Sequence, residues 1–239
     1  MNLQALPGVT NNFWLDALPV RSRDLLFEMS SPLQLRLRET VTEAATPTRS
    51  IYFPVSAVFS MVVTMSDGKT VEANMVGREG YVPVSTALLP FSKTAKTVVQ
   101  VAGDALAINA GSFADAVRTD PNIAALRDRY LAAVFDVVLQ SVGCNAVHSV
   151  RERCARWLLA LADRTESHDV NVIHQVLAET LGASRPRVTE ILATLQNDGL
   201  LELQRATLRI LDLAGLRSAA CECYGIIKTE LQTFGTRKI

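Results

Sequence analysis

The sequence predicts an α+β protein in which a β-rich N-terminal half is joined by one long helix to a C-terminal winged helix-turn-helix. Three observations carry this expectation. Between Ile51 and Ala110, β-branched and aromatic residues come in short runs interrupted at Gly and Asp. From residue 122 to 146, apolar residues recur at helical spacing without a break. From Val172 to Asp212, two short helical patterns meet at a glycine and are followed by two short strands.

The elements follow in order. Residues 14–45 read as helical, with Leu15, Leu18, Leu25, Leu26, Leu33 and Leu37 separated by charges and punctuated by Pro19 and Pro32. Ile51–Met65 and Thr70–Val76 read as strands. Ser66-Asp67-Gly68-Lys69 between them is a hairpin signal, because Gly accepts the positive φ of a tight turn. Two more runs, Thr97–Ala102 and Ala105–Ala110, are broken at Gly103-Asp104. Strands this short at this spacing suit an antiparallel sandwich or barrel. Asp120-Pro121 opens the long helix, since Asp can cap and Pro is tolerated in the first turn. Its stripe of Ile123, Leu126, Tyr130, Ala133, Val137 and Cys144 serves either core packing or a dimer seam. A helix this long between two domains has little else to cover such a stripe, which favours the seam. A further helix, Ser149–Arg164, places Val150, Cys154, Trp157, Leu158 and Leu161 on one face, and Thr165–Asn171 reads as a polar loop.

Composition narrows the functional classes. Hydrophobic residues make up 49% and aromatic residues only 6%, which predicts aliphatic cores. Lys+Arg and Asp+Glu are both 24, so charge balance neither favours nor excludes a nucleic-acid partner, which needs only a local basic face. Cys221-x-Cys223 is shorter than the usual zinc pair and no second cysteine pair matches it. Cys144, Cys154, Cys221 and Cys223 therefore read as plain thiols in a reducing compartment, and no metal or cofactor is expected. His148, His168 and His174 read as surface or capping residues. The first residues lack a basic stretch followed by an apolar core, and no apolar run reaches the roughly 18 residues a membrane helix needs, so a soluble cytoplasmic protein without a membrane partner is expected. No HExxH, GxSxG or P-loop pattern occurs, so an enzyme is not expected.

The informative stretch begins at Val172. A first helix covers Ile173–Leu181 and stops at Gly182; Ser184 can cap a second, in whose first turn Pro186 is tolerated. Val188, Ile191, Leu192 and Leu195 form one apolar face. The other side offers Pro186, Glu190, Ala193 and Asn197, flanked by Arg187, Thr189 and Thr194, with Arg185 at the tip. Reading helices meet DNA base edges mainly through their N-terminal residues. Ser184, Arg185, Arg187, Thr189 and Glu190 are accordingly the candidate contacts to double-stranded DNA, Arg addressing guanine or phosphate and Glu accepting from cytosine. Leu200–Leu203 and Thr207–Leu211 would form a wing around Gln204-Arg205-Ala206, with Arg205 reaching phosphate. A small-molecule-binding module with a purely structural helix pair is the alternative. The order of Gly turn, Ser cap, early arginines and hairpin favours the reading head.

These residues resemble the cyclic-AMP-receptor and fumarate-nitrate-regulator (Crp–Fnr) family. Leu181-Gly-Ala-Ser-Arg185, Val188-Thr-Glu-Ile-Leu192 and Leu195-x-x-Asp-Gly-Leu200 are similar to its DNA-binding motif, and Ala219-Ala-Cys-Glu-Cys-Tyr224 to a tail in one of its branches. Phe53-Pro54, Gly68 and Gly77-Arg78-Glu79-Gly80 are similar to its β-roll. The resemblance implies a double-stranded β-helix (jelly-roll type) sensor over 14–120, a dimerisation helix over 121–146, a winged helix-turn-helix over 147–224 and a tail over 225–239. It further implies a homodimeric transcription regulator on a palindromic operator, in contact with RNA polymerase, answering to an unidentified small-molecule effector or constitutively active. Glu79, Gly80, Lys93 and Thr94 stand where the family holds a cyclic nucleotide. Gly80 directly after Glu79, and Lys93 in place of a forked guanidinium, depart from the cyclic-AMP pattern. Pro186 also departs, standing where several relatives carry a base-reading Glu, and the first half lacks the cysteines of an iron–sulfur sensor and a histidine for haem.

Overall fold

The computed structural model describes residues 10–84, 95–171, 173–204 and 207–234. By internal contacts the chain divides into two units. The first holds Met1–Met61, Met75–Asp136 and Glu230–Ile239, the second Val62–Asn74 and Val137–Thr229. The division falls inside the long helix rather than at either of its ends.

Two short helices, α1 (Phe13–Asp16) and α2 (Val20–Glu28), open the first unit. The helical expectation for 14–45 fails beyond them, because Ser30–Leu35 (β1) and Thr40–Thr42 (β2) are strands. Pro32, read as helix punctuation, lies within β1. It is tolerated there because β1 is the outer member of the sheet β1-β7-β3 and needs partners on one side only. The expected run Ile51–Met65 is two strands, β3 (Ser50–Pro54) and β4 (Val58–Thr64). Between them the amides of Val55, Ser56 and Ala57 all turn to the carbonyl of Asp104. The hairpin from β4 to β5 (Thr70–Val76) closes as expected, with the Met65 amide donating to the Lys69 carbonyl at 2.8 Å.

β6 (Ala95–Val101) and β7 (Gly103–Asn109) follow each other in sequence but lie in different sheets. β7 stands between β1 and β3, while β6 stands between β2 and β4 in the order β2-β6-β4-β5. Leu35, Phe59, Val76, Val82, Val99 and Ala105 pack together as a dry cluster. The expectation of purely aliphatic cores is corrected beside it, where Trp14, Phe53, Tyr81, Phe113, Tyr130 and Phe234 form a chain of ring contacts with centroids 4.8–6.2 Å apart. Few aromatics suffice because six of them are concentrated in one place, each ring adding a large buried apolar area.

α3 (Ala110–Thr119) is capped by Asn109, and α4 spans Pro121–Val147. The Asp120 carboxylate accepts from the amides of Asn122 and Ile123, as the sequence suggested, and a serine hydroxyl on it first, then these amides, lower its pKa. The proposed seam residues of α4 are not exposed. Ile123, Leu126, Tyr130, Ala133, Val137 and Cys144 are all at most 3% accessible within the chain itself. The large apolar residues of α4 left at the surface are Phe135, Leu139, Val142 and Val147. α4 contains an 18-residue window of mean hydropathy 1.5, long and apolar enough by composition to cross a bilayer, a test that core helices of soluble proteins also pass.

In the second unit α5 (Val150–Thr165) starts with a reciprocal box between Ser149 and Glu152 and buries Cys154, Trp157, Leu158 and Leu161. The loop expected at 165–171 contains a strand, β8 (Asp169–Asn171), because Val170 is buried and pairs with Leu208. α6 (His174–Leu181), α7 (Arg185–Asn197), β9 (Leu201–Leu203) and β10 (Thr207–Ile210) follow, with the three strands in the order β8-β10-β9. α8 (Leu213–Ala219) comes next. The segment expected as a tail is helical through α9 (Cys223–Thr233).

Because Leu126 is fully enclosed by its own chain, Leu126→Ala should lower the unfolding free energy by about 2–5 kcal/mol. Urea denaturation of the variant measures it.

Candidate nucleic-acid interface

The helix pair is fixed by devices that the sequence announces. α6 ends on Gly182 at φ 61°, a left-handed conformation that residues with a Cβ rarely adopt. The amides of Gly182 and Ala183 then satisfy carbonyls of the last α6 turn. Ser184 Oγ accepts from the Arg187 amide at 3.4 Å, and Pro186 falls in the first turn, where a missing N–H costs little. Val188, Ile191, Leu192 and Leu195 are all buried, as expected, and hold α7 against α6 and β9. Arg153 donates to the Leu181 carbonyl at 3.1 Å, closing the end of α6, and Arg151 meets Asp198 at 2.7 Å at the end of α7.

The start of α6 differs from expectation. The helix starts at His174 rather than Ile173: Ile173 occupies the cap position with no side-chain hydrogen bond, while Asn171 belongs to β8 and pairs with Thr207. His174 holds this end differently, its Nδ1 lying 3.0 Å from Thr189 Oγ1 while that hydroxyl donates to the Arg185 carbonyl. With the hydroxyl proton committed, Nδ1 is the donor in this contact.

Of the candidate contacts, Ser184, Arg185, Arg187, Thr189 and Glu190 all lie exposed on the first turns of α7. The fold brings them together on one side of a single helix. Arg187 Nη1 and Glu190 Oε2 are 3.2 Å apart with both side chains well exposed, so the two residues read as independent contacts are partners in the free chain. Arg205 lies outside the described residues. On the sheet below, Arg209 forks onto Asp169 at 2.6 and 3.1 Å, and that hydrogen-bonded pairing holds the Asp169 carboxyl below its usual range.

The candidate effector residues fare differently. Lys93 and Thr94 lie outside the described residues. Glu79 is half-buried, and Gly80 is enclosed. Asn12, itself fully buried, donates to the carbonyls of Gly80 at 2.8 Å and Pro54 at 3.0 Å and accepts from the Leu15 amide. A Cβ on Gly80 would collide with the Tyr130 hydroxyl. That hydroxyl is 3.3 Å from the amide and 3.2 Å from the carbonyl of Tyr81. The Gly77–Gly80 turn thus fastens the N-terminal helix and α4 around the roll, with the Phe13 amide donating to the Arg78 carbonyl at 2.7 Å.

The four cysteines are buried and unbridged. Reading the spacing along the chain missed that Cys144, Cys221 and Cys223 converge with His148, so that their ligand atoms lie within 4.8 Å of one another. The sequence signal was Cys144-x-x-x-His148, one helical turn, facing Cys221-x-Cys223.

Residues 152–219 match the Crp-like helix-turn-helix domain family. A CRP/FNR-family transcriptional regulator from Thermus thermophilus superposes with a TM-score of 0.67 at 17% identity, covering 80% of this chain and 98% of that one. A CRP-family regulator from the same organism gives 0.66 at 22% identity over 80% and 99%. The c-di-GMP-responsive global regulator CLP of Xanthomonas campestris gives 0.65 at 19% identity over 81% and 100%. A comparison with curated proteins found no match. The chain therefore has the architecture of a β-roll joined to a winged helix-turn-helix. More particularly, it has the fold of the Crp–Fnr transcription regulators and carries a Crp-like helix-turn-helix domain over residues 152–219.

Gly80→Ala should destabilise the first unit by about 1–3 kcal/mol through overpacking. Urea midpoints for this variant and for wild type check it.

Proposed function

We propose that the protein is a homodimeric, sequence-specific regulator of transcription that lays α7 in the major groove of a palindromic operator. The observation that carries this reading is the polar N-terminal half of α7, exposed with Ser184, Arg185, Arg187, Thr189 and Glu190 while its opposite face is buried. Helices placed this way read base edges with their first turns. Arg187 and Glu190 supply discrimination, and Arg185 at the tip supplies phosphate contact and position.

The second copy docks along the exposed side of α4. Asp128, Ala132, Phe135, Leu139, Val142 and Ala146 are exposed and step by alternate fours and threes, the seam spacing of paired helices. This replaces the seam drawn from the buried stripe. Cyclic AMP is not the effector in this reading. The Gly80 amide donates to the Gly77 carbonyl at 3.2 Å and the space over its Cα is filled by Tyr130, so this amide is already used within the turn rather than offered to a phosphate.

Two experiments test the proposal. Arg187→Ala and Glu190→Ala are compared on single-base variants of an operator selected from random duplexes, at several salt concentrations and with and without cyclic AMP. Each should lose about 1–3 kcal/mol of discrimination at its own base pair. Glu190→Ala, which releases Arg187 from its ion pair, should also bind random duplex more tightly, and cyclic AMP should change nothing. Even loss across all sequences would show that α7 does not read bases. Separately, Phe135→Glu with Leu139→Glu should reduce the mass in analytical ultracentrifugation from dimer to monomer. A double variant that keeps the dimer mass places the seam elsewhere.

A further inference from the structure

We propose that Cys144, His148, Cys221 and Cys223 form a four-coordinate zinc site that braces the end of α4 against the segment joining α8 to α9. All four lie within the second unit. Cys144 and His148 stand one turn apart at the end of α4, Cys221 follows α8 and Cys223 opens α9.

Distances carry the assignment. Cys144 Sγ and Cys221 Sγ are 3.5 Å apart, and Cys223 Sγ lies 3.6 Å from His148 Nδ1. Tetrahedral zinc with bonds of about 2.3 Å to sulfur and about 2.0 Å to nitrogen places neighbouring ligand atoms about 3.5–3.8 Å apart. A disulfide instead needs its sulfurs at about 2.05 Å. Two of the six ligand pairs have this spacing, and all four atoms lie within 4.8 Å of one another, close enough to share one centre.

The surroundings suit the same role. His148 Nε2 is 3.2 Å from Glu222 Oε2, so the carboxylate holds the Nε2–H and leaves the Nδ1 lone pair for a metal. Gln140 Nε2 donates to Cys223 Sγ at 3.0 Å, a contact that favours a thiolate. Arg156 acts on Cys144 and Cys221 as a nearby positive charge, suited to the net single negative charge of three thiolates, one imidazole and one Zn2+. Its buried Nε has no hydrogen-bond partner among the described residues. Four protein ligands and no open position make this a structural site rather than a catalytic one.

The test uses the full chain purified in reducing buffer. Mass spectrometric elemental analysis should find one zinc per chain. Replacement by Co2+ should give a thiolate charge-transfer band and the strong visible bands of tetrahedral cobalt. His148→Gln and Cys221→Ser should lose the bound metal, while Cys154→Ala, which alters the isolated fourth cysteine, should keep it. As a measurement independent of variant folding, chelation of the wild-type chain should lower its melting temperature and added Zn2+ should restore it. The proposal is overturned if the folded wild-type chain takes up neither Zn2+ nor Co2+, if Cys154→Ala loses metal as His148→Gln does, or if peptide mapping finds Cys144 and Cys221 bridged in place of a metal.

Discussion

Everything else in the molecule depends on which side of α4 is used up by its own chain. A helix of this length offers two faces, and the larger apolar one is consumed internally. Tyr130 fills the space above Gly80 and hydrogen-bonds the Tyr81 backbone, while Ile123, Leu126, Ala133, Val137 and Cys144 are shielded along the same side. Burying such side chains is worth about 1.5–3 kcal/mol each, so this face is not available for exchange with a partner. What remains is a narrower stripe through Phe135, Leu139 and Val142, too apolar to be an ordinary solvated face.

The second unit is organised by short-range devices rather than by a large core. Gly182 reverses the chain, Ser184 restarts it, and Arg151 and Arg153 reach across from α5 to the ends of α7 and α6. Each contact is modest, but together they leave α7 little freedom to rotate, so the same residues stay on its exposed side. The base reading proposed for α7 needs that constancy, because discrimination depends on donors held within about half an ångström.

Legibility followed the range of the interactions. The helix-turn-helix was readable nearly to the residue because its signals are local: a glycine stop, a serine cap, one apolar period and a following hairpin. β1 was not readable, since the strand pairs with residues more than sixty positions away and Pro32 is acceptable only at an edge that the sequence does not mark. The stripe on α4 was visible, but periodicity says that a face is covered and not what covers it. The partners that hold Gly80, Asn12 and Tyr130, come from distant parts of the chain and leave no mark beside it in the sequence. The cysteine–histidine cluster escaped because its halves are 77 residues apart and only one half is a cysteine pair.

Pro186 has a consequence for how any anion meets α7. The start of a helix normally presents several free amides to a phosphate. Here Pro186 has no N–H to give, and the Arg187 amide is turned to Ser184 Oγ. The backbone end of the helix is therefore a weak anion cradle, and attraction passes to long, mobile guanidinium groups. Such groups tolerate small changes in phosphate position that a rigid row of amides would not. In the proposed complex with DNA, the helix would thus settle into grooves of slightly different width without losing its hold.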